Sequence, residues 1–71
     1  MRYREVVRKL RRLGCLEVTR KRQSGSHRRW SNPAAGQRAS IPDHGRHDLK
    51  IGTLRSAIRD LGIDWQEFND A

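Results

Sequence analysis

The apolar residues Tyr3, Val6, Val7, Leu10 and Leu13 recur at three- and four-residue spacing, which gathers them on one stripe of a helix. Arg4, Arg8, Lys9, Arg11 and Arg12 mostly take the other side, and Gly14 stands where a left-handed residue ends a helix cheaply. The period then changes to two. In "CLEVTRKR", Leu16 and Val18 alternate with Glu17 and Thr19, which predicts a strand whose Leu16/Val18 side is buried. "QSG" at 23–25 reads as a turn and "SHRRW" as the returning arm of a hairpin. "NPAAGQ" is a second turn, and "RASIP" a third strand with Ala39 and Ile41 on one face and Arg38 and Ser40 on the other. Pro42 cannot donate a ladder hydrogen bond and marks that strand's end.

"DHGRHDLKIG" is a polar connection leading to "TLRSAIRDLG", a second amphipathic helix with Leu54, Ala57, Ile58 and Leu61 on one stripe. Asp64 and Glu67 have capping-box spacing and predict one more helical turn, whose Trp65 and Phe68 either pack back or await a partner. The order helix, three antiparallel strands, helix defines an α+β domain over 1–71 in which the helices cover only one face of the sheet. That is the plan of a double-stranded-RNA-binding-type domain, although a fold does not by itself confer that function.

Charge sharpens this picture. The 71 residues carry 16 Lys and Arg against 8 Asp and Glu, a net charge of +8. Residues 1–30 hold eleven basic and two acidic side chains, and from Asp60 onward there are four acids and no base. One strongly basic half suits a polyanion, because each Lys or Arg that meets a phosphate releases a condensed counterion. Cys15 is the one cysteine, so neither an intramolecular disulfide nor a four-cysteine zinc site can form, and a buried thiol is expected. Arginines interrupt every apolar run near the start, so neither a secretion signal nor a membrane span is expected, and a cytoplasmic location is.

Strand alternation places His27 and Arg29 on one face and Arg28 and Trp30 on the other, with Trp30 in the core. Thr19 and Lys21 would share the His27 face if the hairpin is in register. An imidazole among guanidinium groups has the parts for cleaving RNA without a metal. It can take a proton from a ribose 2′-hydroxyl or give one to the departing 5′-oxygen, while arginines hold the phosphate. Gly25 allows close approach of a substrate backbone and Ser26 can donate to a phosphate oxygen. A second proton-transfer group is not evident, and His44 is one option. His44 and His47, with Asp43 and Asp48, lack a third ligand at zinc spacing, so a polar turn is the reading and no metal or small-molecule cofactor is expected. No phosphate-binding glycine loop or serine elbow is present.

"GSH" at 25–27, Trp30 three residues later, "NPAAGQR", "IPDH", "DLKIGTLRSAIRDLGID" and the closing "EF" together resemble the HicA-type toxins over nearly the whole length. The resemblance implies a small mRNA interferase of a type II toxin–antitoxin module with a double-stranded-RNA-binding-like fold. It makes His27 the residue on which cleavage depends, RNA the substrate and a HicB-like antitoxin the protein partner. Lys21, Arg22, Arg28 and Arg29, with Gly25 and Ser26, are then the expected phosphate-binding set, and Lys50 and Arg55 the outlying members. The run from Gly14 to Gly25 is about two residues longer than the family pattern, and Arg28-Arg29 is more basic. Two other readings remain: a non-catalytic RNA- or DNA-binding module of the same architecture, and a docking protein that uses Trp65, Phe68 and the acidic tail.

Overall fold

The computed structural model describes residues 1–18 and 27–71. In chain order these form α1 (Tyr3–Arg12), β1 (Leu16–Val18), β2 (His27–Asn32), β3 (Gln37–Pro42), α2 (Ile51–Asp60) and α3 (Trp65–Asp70). The strands make one antiparallel sheet in the order β1-β2-β3. α2 lies against β3 and α3, and α1 against α3. The fold is therefore α+β and double-stranded-RNA-binding-like, with all its helices on one side of the sheet.

The apolar stripes meet where their periodicity predicts. Val6 and Leu10 of α1, Trp30 of β2, Ile41 of β3, Leu54 and Ile58 of α2, Leu61 and Phe68 are all buried together. Cys15 joins them, and burial raises its thiol pKa. Phe68 is closed off within this core and Trp65 tilts against it at 5.5 Å, so the final turn packs back and Phe68 is not an exposed docking residue.

Both long helices end in the same way. After α1, Cys15 N–H donates to Leu10 C=O and Gly14 N–H to Arg11 C=O. After α2, Ile63 N–H donates to Ile58 C=O and Gly62 N–H to Arg59 C=O. These paired bonds satisfy carbonyls the helix leaves unmatched, and they require the left-handed backbone that Gly14 (φ 86°) and Gly62 (φ 73°) adopt. Gly62 is doubly constrained, since a Cβ there would stand 3.0 Å from Ala35 Cβ and 3.4 Å from Gln37 Cγ. Gly62→Ala is therefore expected to destabilise the protein by about 2 kcal/mol, from left-handed strain plus crowding, as read by urea unfolding.

Two details depart from the sequence reading. α2 begins at Ile51, two residues before Thr53, with Lys50 as an N-cap that makes no side-chain capping bond. Ile51 is 60% exposed, so burial does not mark the start of this helix. In β1 the faces are reversed: Leu16 is exposed and Val18 half-buried, while Glu17 turns toward the helices. The cause is a hydrogen bond. Tyr3 Oη donates to Glu17 Oε1 at 3.2 Å and accepts from Trp30 Nε1 at 3.1 Å, so one phenol satisfies two partly buried polar groups.

That chain of bonds also sets an upper pH limit. Burial pushes the Tyr3 hydroxyl up to about 12; the bond from Trp30 opposes this and the Glu17 carboxylate adds to it. The folded pKa lies above the unfolded value of about 10, so the stability held by the neutral phenol is complete below pH 10 and falls as pH rises toward 12. The loss should reach roughly 2–3 kcal/mol, measured by denaturant unfolding across that range, and be smaller in Tyr3→Phe.

Candidate nucleic-acid interface

β2 is the central strand, and its alternation decides what the bare face of the sheet presents. Trp30 and Asn32 point toward the helices and are buried, whereas His27 and Arg29 are exposed on the opposite side. Asn32 is fixed by its own bond, Nδ2 donating to Leu61 C=O at 2.8 Å, which ties the end of β2 to the end of α2. With Trp30 and Asn32 held in the core, the outward direction of His27 and Arg29 follows from the pleat.

Register fills in the neighbours, because paired residues share a face. His27 pairs with Pro42; Arg29 lies between Val18 and Ser40; Ser31 lies between Leu16 and Arg38. The bare face thus carries His27, Arg29 and Arg38 with two serines, and none of these sheet residues is acidic. Successive same-face residues on a strand stand about 7 Å apart and cross-strand partners about 5 Å. His27, Arg29, Ser40 and Arg38 therefore make a patch a few nucleotides long. Arg38 and Ser40 were not among the expected site residues, although the alternation of "RASIP" already put them on this face; the matching parity of Arg29 was the signal.

The other expected residues divide. Lys21, Arg22, Gly25 and Ser26, with Thr19 and the 23–25 turn, lie outside the described residues. Arg28 is on the helix side, half-exposed, with Nε 3.7 Å from Asp43 Oδ2. Asp43 in turn accepts from Gly45 N–H at 3.0 Å, which anchors the polar connection after β3. Lys50 is exposed at the start of α2. The Arg55 guanidinium stands 5.1 Å from the centre of the Trp65 ring, beside a cavity of about 460 Å³ between α2 and α3 that no sheet residue lines. Arg55, expected as an outlying phosphate contact near the start of the second helix, thus stands against Trp65 of α3. His44 and His47 are both exposed in the connection after β3, and His44 follows Pro42, the cross-strand partner of His27, by two residues. Among the described residues, no group of three or more His, Cys, Asp or Glu side chains is arranged to hold a metal ion.

A small α+β protein of the double-stranded-RNA-binding-like class, with one cationic sheet face left uncovered among the described residues, is what this fold and this patch define. No helix among the described residues is long and apolar enough to cross a membrane. The family model described as the HicA toxin of bacterial toxin–antitoxin systems matches residues 3–63, and the chain belongs to that family. It is accordingly a toxin whose module implies an antitoxin partner. No curated protein and no solved structure gives a significant match.

Proposed function

We propose that the protein is a metal-independent endoribonuclease that cleaves mRNA without the ribosome, with His27 as its acid/base residue. The observation that carries this reading is the position of His27, exposed on the uncovered sheet face in line with Arg29 and beside the row that holds Ser40 and Arg38. In the reaction a ribose 2′-oxygen attacks the adjacent phosphorus and the bond to the 5′-oxygen breaks. The His27 imidazole accepts the 2′-hydroxyl proton or delivers one to the leaving oxygen, and imidazole is the side chain that does either near neutral pH. Arg29 and Arg38 neutralise charge gathering on the phosphate oxygens. Lys21, Arg22, Gly25 and Ser26 extend the grip through the segment before β2, with Lys50 and Arg28 at its margin. His44 is the candidate for the second proton transfer, because its connection leaves the sheet beside the partner of His27.

The antitoxin in this reading is a HicB-like protein that covers the same face and excludes RNA. A single assay tests the enzymatic claim. The purified chain is incubated with single-stranded RNA, with and without EDTA. Cleavage indifferent to the chelator is expected. Intact RNA that nevertheless stays bound would make the protein a binding module of the same fold, and cleavage abolished by EDTA would direct attention to a metal at His44 and His47.

A further inference from the structure

α1 presents a second cationic surface that the proposed nuclease chemistry does not use. Arg4, Arg8, Arg11 and Arg12 are all exposed, and at 3.6 residues per turn they fall within roughly 100° of arc. That arc is opposite the buried stripe of Tyr3, Val6 and Leu10. Tyr3 meets Trp30 on the covered side of the sheet, so the arginine side of α1 faces away from the surface that carries His27. None of the four arginines makes an ion pair among the described residues. The fifth base of the helix, Lys9, is otherwise engaged, its Nζ donating to the carbonyls of Asn69 and Ala71 at 2.7 and 2.9 Å. Glu5 is the one acid on α1, at the flank of the arc, and its carboxylate accepts from Arg2 N–H at 3.5 Å.

We propose that this arginine stripe is a second RNA-binding surface, holding a segment of the same transcript by its phosphates on the side of the molecule opposite His27. Three features select this partner. The stripe is made of arginine alone, whose planar fork pairs two donors with a phosphate. Arg4, Arg8 and Arg12 are spaced about 6 Å apart along the helix axis, comparable to adjacent phosphates on one strand. No apolar residue interrupts the arc, which disfavours a lipid surface, since a helix lying in a membrane interface needs an apolar face to insert and that of α1 is buried in the core. Gripping phosphates alone, the stripe is expected to bind with little dependence on sequence. The smallest Cα dimension of the protein is 18 Å, so a long strand reaches both faces and a short one does not.

The inference rests on RNA being the substrate, and the test separates the two claims. The His27→Ala protein, which cannot cut if His27 is the acid/base residue, is compared with the same protein carrying Arg4→Gln, Arg8→Gln and Arg12→Gln. Binding of a long unstructured RNA is followed by fluorescence anisotropy over a range of salt concentrations. Losing three phosphate contacts should weaken binding at least tenfold and flatten the log–log salt dependence by about 2, at about 0.7 per contact on single strands. In a chain with His27 intact, the three glutamines should leave cutting of a tetranucleotide unchanged while slowing cutting of the long RNA. Arginine-to-lysine versions should keep the salt slope, and thermal unfolding should be unaltered in every variant.

An unchanged salt slope on the long RNA would overturn the inference. So would an equal loss on the tetranucleotide and the long RNA, or loss of binding to anionic lipid vesicles with RNA binding intact. Stripe-dependent RNA binding by a protein that never cuts would sink the nuclease reading and leave this one standing. His27-dependent cutting that ignores the stripe would do the reverse.

Discussion

Replacing His27 by alanine is expected to slow RNA cleavage by about 10²–10⁴-fold, the range for loss of a positioned acid or base. The fold should be nearly indifferent. His27 is exposed at the first position of β2 and contributes nothing to the apolar cluster, so its removal should cost less than about 1 kcal/mol. Affinity should also survive, because the proposed phosphate grip rests on Arg29, Arg38 and the basic residues before β2 rather than on His27. The informative comparison is therefore three-way: rate on single-stranded RNA, binding of the same RNA and urea midpoint. A variant that folds and binds but does not cut supports the assigned role. Undiminished cutting would remove His27 from the chemistry and would transfer the search to His44.

Trp30→Ala should have the largest effect on stability, about 3–5 kcal/mol. The side chain is wholly buried in a protein of 71 residues, for which a total stability near the low end of about 5–15 kcal/mol is ordinary. Two losses combine. The indole leaves a cavity in the buried apolar cluster, and Tyr3 loses the donor that fixes its hydroxyl against Glu17. Trp30→Phe keeps most of the apolar volume and removes only the N–H, so it should cost markedly less; denaturant titration separates the two. Because Trp30 fixes which way β2 faces, RNA cutting in Trp30→Ala should fall in step with the folded fraction. A fully folded Trp30→Ala would mean that the core closes without it.

Agreement between sequence pattern and structure follows physical lines. α1, the direction of Trp30 and the Ala39/Ile41 face follow from periodicity, because in each case burial of apolar surface outweighs every competing preference. The N-cap of α3 is equally legible: Asp64 Oδ2 accepts from Gln66 and Glu67 N–H, a local bond that needs only the right side chain at the right place. Where a distant hydrogen bond outweighs apolar pattern, the sequence misleads. Glu17 turns inward because a phenol fourteen residues earlier receives it, and Leu16 is exposed as a consequence. Asn32, which reads as a turn residue, is buried because the end of α2 offers a carbonyl.

The site divides in the same way. His27 and Arg29 are placed by alternation and the motif. Arg55 is drawn to Trp65, a partner visible only in three dimensions. Arg38 was already set beside Ser40 by the alternation of "RASIP", and its pairing with Ser31 brings that face into line with Arg29.

The close approach of Gly62 to Ala35 and Gln37 bears on where this fold can grow longer. A hairpin tip is ordinarily the place where a protein tolerates added residues, but the bend between β2 and β3 is seated against the junction of two helices. Insertions there should be rejected, and an epitope or fluorescent tag spliced between Pro33 and Gly36 should abolish expression of folded protein.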